Sequence, residues 1–462
     1  MTSDRETAEP TWKRVFELGW PITVEQLLNT LMRTVDVVVT GLFSPAAVAA
    51  VGLADLYAQI PLRVGLGLGT ASIALSSQDT GRGAVTTRNQ VITQGMLMGA
   101  LAGLPFVVIG VLFSSALISI LGAESDVVRL GGLYLMIVFA AAPMRIASLV
   151  GARSLQGTGD TWTPMLINVT ANVINICLTV SLGLGLWIVP DLGIIGVGIG
   201  TFVGRTVEAL LVVSVFLSSY NSLSLVRPRG LTVTKQLISL SVPNFLEGMS
   251  TSLSNFPFNA LLLVFGTEAN AAYHIGRRVF QQVTSPISRS FSTVSSIIIG
   301  QTLGEGNPHT ARRNVREIFL ISLGVLTVVS ITLFVAAERL VGLFTQDPTT
   351  AAYAVDFTRV FSVSALFFGA FYPLAGALQG AGDTRTPFYA RLLGVTVCML
   401  GVSYVAGIVL GYGLLGVYVG IVTTHVTWLL VAVLGIVYGD WAGKAERMIE
   451  ERETATEEQE NV

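Results

Sequence analysis

The decapeptide Leu155-Gln156-Gly157-Thr158-Gly159-Asp160-Thr161-Trp162-Thr163-Pro164 returns 223 residues later as Leu378-Gln379-Gly380-Ala381-Gly382-Asp383-Thr384-Arg385-Thr386-Pro387, with eight of ten positions identical. Around both copies the apolar stretches superimpose as well, so the chain is a duplication whose halves must fold alike. Each stretch runs to roughly 20 residues or more, enough to cross a bilayer. They fall at about 15–43, 53–77, 89–113, 130–152, 163–187 and 193–217, then at about 236–265, 275–300, 315–336, 351–376, 386–411 and 414–438. Runs this long and continuous are helices, because barrel strands are shorter and alternate. The expected fold is all-α and integral to the membrane: twelve transmembrane helices in two six-helix bundles. Six spans per half, an even number, makes the repeats parallel, related by an axis along the membrane normal, with a central cleft between them.

Composition enters as a constraint on the surface. Only 12% of the 462 residues are charged, where a soluble domain carries about 25%. A single buried core cannot absorb that deficit, so the outer surface must face lipid. A net charge of -2 gives nucleic acid no electrostatic footing. Cys177 and Cys398 lie inside apolar runs and the three histidines are scattered, so neither a structural disulfide nor a metal site is expected. The first apolar run is too long for a signal peptide and is read as a retained span.

Lys and Arg concentrate in alternate loops: Lys13 and Arg14; Arg82 and Arg88; Arg153; Arg227, Arg229 and Lys235; Arg312, Arg313 and Arg316; Arg385 and Arg391; Lys444 and Arg447. This placement predicts a multi-pass protein of the cytoplasmic (plasma) membrane with both termini cytoplasmic. The chain then divides into an N-terminal tail (1–14), an N-terminal lobe (15–217), a cytoplasmic linker (218–235), a C-terminal lobe (236–438) and a charged cytoplasmic tail (439–462).

Ionisable side chains inside a span are expensive, roughly 2.5–3.5 kcal/mol each or more, and ordinarily line a cavity or form a pair. Few acids qualify: Glu25, Asp36, Asp55, Glu208, Glu247 and Asp356. At about 100° per residue, Glu25, Asn29 and Asp36 of span one project within about 40° of one another. Asn168, Asn172, Asn175 and Thr179 of span five, spaced four, three and four apart, also share one face. The duplication supplies an internal control. Asp36 aligns with Phe258, and Asn172, Asn175 and Thr179 align with Val395, Cys398 and Val402. A purely structural need would recur in both halves, whereas a coupling-ion site is needed once. The competing role for Asp36 is a static pair with Arg33, three residues away. Glu25 and Glu247 each follow a proline by four residues, and are either acids of a substrate cleft or helix-packing residues beside the kinks. Arg205 and Glu208, three apart on span six, read as an internal ion pair.

At this point the chain resembles the multidrug and toxic compound extrusion (MATE) family. The resemblance rests on the paired Leu-Gln-Gly-x-Gly-Asp-Thr-x-Thr-Pro loops after spans four and ten. It rests also on Gln78-Asp79-Thr80-Gly81-Arg82-Gly83 and its repeat Gln301-Thr302-Leu303-Gly304-Glu305-Gly306, and on the glycine-rich starts of spans six and twelve (Gly193 to Gly200, Gly413 to Gly420). It implies a secondary antiporter, acting as a monomer, that exports small amphiphilic organic compounds, cations among them, by alternating access. Protons or sodium ions would drive export and no cofactor is implied. In the DinF-like branch, which it resembles more than the NorM-like branch, a helix-one Asp, a helix-five Asn and Asp, and a helix-six Thr are associated with cation coupling. Asp36, Asn175 and Thr201 match; the helix-five Asp position is Thr179. The NorM-like branch carries an acid on helix ten, where this chain has Phe368, and a helix-seven Glu, matched by Glu247. The cation-coupling set is thus Asp36, Asn172, Asn175, Thr179 and Thr201, with Glu25, Asn29 and Glu247 toward the substrate and no metal beyond sodium at Asp36.

The signature loops themselves read as a helix stop and restart: glycine for the stop, an Asp or Thr cap, and proline early in the next helix. Gly65-x-Gly67-x-Gly69 lies within a span with no strand before it, so it marks close helix packing, not dinucleotide binding. No Walker A sequence and no Ser/His/Asp or Cys/His grouping suggests ATP coupling or hydrolysis, so an enzyme is not expected. The remaining alternative is a lipid or lipid-linked oligosaccharide flippase of the same superfamily.

Overall fold

The computed structural model describes residues 10–186, 190–218 and 223–460. The polar stretch through residue 9 and the Ser219 to Ser222 part of the expected linker lie outside them. The described residues are helical, with no strand among them. In chain order the helices are α1 (Thr11–Gly41), α2 (Pro45–Gly81), α3 (Val85–Ile120), α4 (Ser125–Ala140), α5 (Ala142–Gly157), α6 (Trp162–Leu184) and α7 (Ile194–Leu217). They continue with α8 (Thr232–Leu263), α9 (Thr267–Gly304), α10 (Pro308–Val341), α11 (Pro348–Gly380), α12 (Arg385–Leu393), α13 (Leu414–Tyr438) and α14 (Trp441–Glu460). After α12 the chain continues as two π-helical stretches, Gly394–Val402 and Val405–Val409.

The helices number more than twelve for local reasons. A 44° bend separates α4 from α5, which together form one span broken just before Pro143. The eleventh span changes from α to π midway. Eight described helices are long and apolar enough to cross a membrane, nine with the bent pair. The three that fall short, α1, α8 and α9, carry polar side chains that the protein itself covers, among them Glu25, Asp36, Ser254 and Thr284. With these the spans number twelve, and α14 lies beyond them.

Helix starts follow the local chemistry. Ser44 caps α2, accepting from the Ala47 amide at 3.1 Å, with Pro45 in the first turn. Asp347 caps α11, accepting from the Thr350 amide at 2.7 Å, ahead of Pro348. The repeated decapeptides behave as stop and restart signals. Gly159 and Gly382 take φ of 95° and 82°. Asp160 then accepts from the Thr163 amide at 2.9 Å, and Asp383 from the Thr386 hydroxyl at 2.5 Å.

The chain forms two compact units. One holds residues 24–242 and 450–462, the other residues 1–23 and 243–449. Their boundaries fall beside Pro21 in α1, at Pro243 in α8 and within α14, not in the loops. In the first unit the segment leading to α8 is zipped onto α3: Val226 N donates to Thr93 Oγ1 at 3.0 Å, Arg229 N to Gln90 Oε1 at 3.0 Å, and Thr234 Oγ1 to Gln94 Oε1 at 2.7 Å. The linker is therefore a built part of this unit, which is why the first turns of α8 belong to it. The outer face of α3 displays Leu97, Leu101, Leu104, Val108, Val111 and Leu112, an apolar surface of the kind a membrane span presents to lipid. In the second unit α11 is the central helix: 78% of its most apolar window is buried, against 22% for α3. Gly376 and Gly380 admit it tightly against the backbone of α9 at Ser292 and Ser296.

Candidate functional site

The polar faces of α1 and α6 meet inside the first unit. Asn168 Nδ2 and Asn172 Nδ2 each donate to Asn29 Oδ1 at 3.4 Å, and Asn172 Nδ2 donates to Asn168 Oδ1 at 2.8 Å. Two turns along α1, Asp36 Oδ1 accepts from Thr179 Oγ1 at 3.4 Å. Asp36 is 8% exposed and Thr179 fully buried. The Thr40 hydroxyl donates to the Asp36 carbonyl at 2.6 Å and fixes the backbone there. The expected neighbours are thus brought together pair by pair.

α7 closes the site from the side. A Cβ at Gly200 would stand 2.6 Å from Thr179 Oγ1, and one at Gly204 would stand 2.9 Å from Asn175 Cβ, so only glycine lets α6 and α7 approach this closely. Thr201 follows Gly200 directly in α7, next to this close approach. Asn175 Oδ1 and Thr201 Oγ1 are both buried without a hydrogen-bond partner among the described residues. Buried polar atoms ordinarily find a partner, so these two oxygens are notable in a seam that also holds the buried Asp36.

The surrounding charges are numerous and nearly balanced. Arg205, Asp55 and Arg33 all act on Asp36, and Arg33 and Arg145 act on Asp55. Arg205 forms the expected ion pair with Glu208, Nη1 to Oε2 at 2.6 Å. Asp36 therefore sits in a shared field, influenced by Arg33 but not by Arg33 alone. Glu25 is buried and accepts from Gln156 Nε2 at 2.9 Å, while Gln156 Oε1 accepts from Arg153 Nη1 at 2.9 Å. The glutamine of the signature loop, read above as part of a helix stop, also connects an acid of α1 to an arginine of α5.

In the second unit Glu247 does not stand alone. Its Oε1 lies 2.7 Å from Arg391 Nε, and the two side chains are 12% and 16% exposed. The guanidinium rests 4.8 Å from the Trp428 ring, 5.1 Å from Tyr372 and 5.4 Å from Phe371, an aromatic cage around a cation. Of the two roles open to Glu247, helix packing is the one this geometry describes. Phe368 packs edge-on against Phe280 at 5.0 Å and against His425 at 5.6 Å, so the helix-ten position holds an aromatic cluster. Sequence reasoning passed over Arg391 and Trp428, although the repeat held the signal: they occupy the places of Asn168 and Glu208 in the first half. No cluster of three or more His, Cys, Asp or Glu side chains able to hold a metal occurs among the described residues.

Residues 21–180 and 243–405, one segment in each half, match the MatE family. A probable multidrug resistance protein NorM of Thermotoga maritima is 25% identical over 444 residues, covering 94% of both chains. A protein of the same name from Rhodopseudomonas palustris is 29% identical over 433 residues, 90% of this chain and 88% of its own. Multidrug export protein MepA of Staphylococcus aureus is 24% identical over 408 residues, 84% of this chain and 86% of its own. Among solved structures, a MATE protein in complex with MaD3S superposes with a TM-score of 0.86 at 18% identity, over 96% of this chain and 98% of its own. An outward-facing multidrug resistance MATE transporter of the MOP superfamily superposes with a TM-score of 0.85 at 18% identity, over 96% and 97%. These structures share the fold. With NorM proteins among the relatives, the expected lean toward the DinF-like branch gains no support.

Proposed function

The chain belongs to the MATE family, whose members are transporters and not enzymes, and from that premise we propose that it is a secondary antiporter of the plasma membrane. It exports small amphiphilic organic compounds, cations among them, in exchange for protons or sodium ions by alternating access. The relatives named for multidrug resistance and multidrug export support a role in drug export. Lys and Arg placement supports cytoplasmic termini. No relative described above lends weight to the flippase alternative.

One observation carries the coupling role: Asp36 is buried against Thr179, with the orphaned oxygens of Asn175 and Thr201 on the neighbouring helix faces. A carboxylate there is costly while bare. A proton on Asp36, or a sodium ion held by Asp36, Asn175, Thr179 and Thr201, removes that cost and relieves the orphaned oxygens. Hard cations favour such all-oxygen sites. Loaded and unloaded forms then favour different helix packings, which is the condition for an ion gradient to drive a conformational cycle. Asn172, Asn168 and Asn29 continue this polar seam along α1, and Glu25 stands beyond it on the same helix.

The test is reconstitution in proteoliposomes with imposed proton or sodium gradients, following efflux of a fluorescent organic cation. Wild type exports against a concentration gradient under at least one of the two. Asp36→Asn retains its fold but loses uphill export by about tenfold or more, one charge-assisted interaction's worth. Full uphill export by folded Asp36→Asn would remove this acid from the coupling role.

A further inference from the structure

α14 reaches its end far from the coupling site, yet it holds a fully buried ion pair. Arg452 donates to Asp79 Oδ1 from Nε at 3.1 Å and from Nη2 at 2.9 Å, to Gln78 Oε1 from Nη2 at 3.0 Å, and to Gln236 Oε1 from Nη1 at 2.6 Å. Both charged side chains are 0% exposed. Arg82 also pairs with Asp79, at 3.4 Å, and with Glu453. One guanidinium thus joins the last turn of α2, the first turns of α8 and the final turns of α14, all within the unit that contains the coupling site.

The duplication shows that this socket is a recurring design with a substituted part. Gln78 corresponds to Gln301, and Gln236 corresponds to Arg14 by the same spacing that relates Pro21 to Pro243 and Glu25 to Glu247. In the other unit Arg14 donates to Gln301. There the arginine comes from the beginning of the helix that opens the half. In this unit that helix carries Gln236 instead, and the guanidinium arrives from the C-terminal helix. Its counter-charge, Asp79, stands where the other half has the neutral Thr302. The two sockets are alike in plan, but among the described residues only this one is an ion pair.

The way α14 docks also matters. Across residues 449–458 only Arg452 is buried, while Glu450, Glu451, Glu453, Glu457 and Glu458 are exposed. This segment is therefore held chiefly by its arginine and polar contacts; its apolar side chains, Ile449 and Ala455, are only partly covered. A seat meant to be permanent is ordinarily sealed with apolar side chains. A buried polar pair, by contrast, is best attested where register or switching is at stake.

We propose that Arg452 is a positioning residue of the transport cycle: seated on Asp79, it bolts the end of α2 to the start of α8, and it withdraws each time this end of the unit opens. The proposal rests on the antiporter reading above, and the experiment separates the two. In a background lacking Cys177 and Cys398, Arg82→Cys and Glu453→Cys, which span the same junction and leave Arg452, Asp79 and Gln236 in place, are joined by a short reducible bis-thiol cross-linker. The tethered protein stops turning over and reduction restores transport; continued transport at the wild-type rate while tethered overturns the proposal. A second readout needs no substrate. In hydrogen exchange of the whole protein, Arg452→Ala speeds exchange of the amides of Ser76 to Gly81 by about tenfold or more, the worth of one charge-assisted pair, while the repeat-equivalent amides of Ile299 to Gly304 at the end of α9, in the other unit, are unchanged. Arg452→Lys, which keeps a positive charge facing Asp79, regains part of the slow exchange lost in Arg452→Ala. Unchanged exchange in Arg452→Ala, or equal acceleration at both helix ends, counts against the bolt. A wild type that moves no organic cation under either gradient defeats the antiporter reading and leaves the exchange result to judge Arg452 by itself.

Discussion

Removing one member of the Glu247–Arg391 pair leaves the other charge stranded, and the two removals differ in cost. The separation is 2.7 Å and both side chains are less than one-fifth exposed, so the pair is desolvated enough for the usual penalty of about 3–5 kcal/mol on breaking a buried pair. Glu247→Gln leaves the guanidinium inside its cage, where three ring faces at 4.8 to 5.4 Å still stabilise it. Each face contributes about 0.5–2 kcal/mol, which places this variant at the lower end of that range. Arg391→Met strands the carboxylate and empties the cage of its cation together, which places it at the upper end. The double variant removes both charges while roughly keeping the volume, and recovers about 2 kcal/mol or more relative to Arg391→Met. Reversible unfolding in mixed micelles measures all three, with a transport assay alongside. A Glu247→Gln protein as stable as wild type but defective in substrate affinity would refute the pairing argument and return Glu247 to the substrate.

Two further outcomes follow from the packing and from the coupling site. Gly103→Ala places a Cβ against the backbone of Ala142 and Pro143; backbone cannot rotate away, so α3 and α5 separate and stability falls by about 1–3 kcal/mol. Gly52→Ala, with nothing within 4 Å of its Cβ, is the matched control and shows no loss in the same thermal-unfolding assay. Thr201→Val removes an oxygen but keeps the shape, so it weakens sodium dependence of export by about tenfold or more if sodium is the coupling ion. It leaves proton-driven export unaltered, and a shift of both equally would mean that Thr201 holds the helices and not the ion.

Much of the fold was legible because lipid imposes a simple rule on length and apolarity, and because the duplication let each half check the other. The facing stripes of α1 and α6 were legible for the same kind of reason: Asn29, Asp36, Asn168, Asn172 and Thr179 recur at helical spacing, and they do meet. What escaped were contacts made across long sequence separations by side chains with no periodic partner. Arg391 lies at the start of its span, where a cytoplasmic arginine is expected anyway, and nothing nearby in sequence announces Glu247 or the three rings. The C-terminal tail looked like a solvated charged helix, as most of its surface is; the single buried Arg452 carries no local signature. The linker looked merely polar, whereas Asn89, Gln90, Thr93 and Gln94 of α3 satisfy its backbone and side chains.

The divergence of the two halves is most informative at the fifth span of each. In the first half this span is α-helical, and its polar residues at intervals of three and four stay on one face because the helix turns every 3.6 residues. In the second half the equivalent segment, Gly394–Val402, is π-helical and carries Val395, Cys398 and Val402 in place of Asn172, Asn175 and Thr179. A wider turn would rotate residues with that spacing off a common face. Gly394 seals the change: a Cβ there would collide with the Trp428 indole, and its carbonyl accepts from Thr424 Oγ1 at 3.2 Å. Loss of the polar side chains and loss of the turn that aligned them therefore go together. The second half packs aromatic rings around a cation of its own, Arg391, while the first aligns the polar side chains through which we propose that an ion couples.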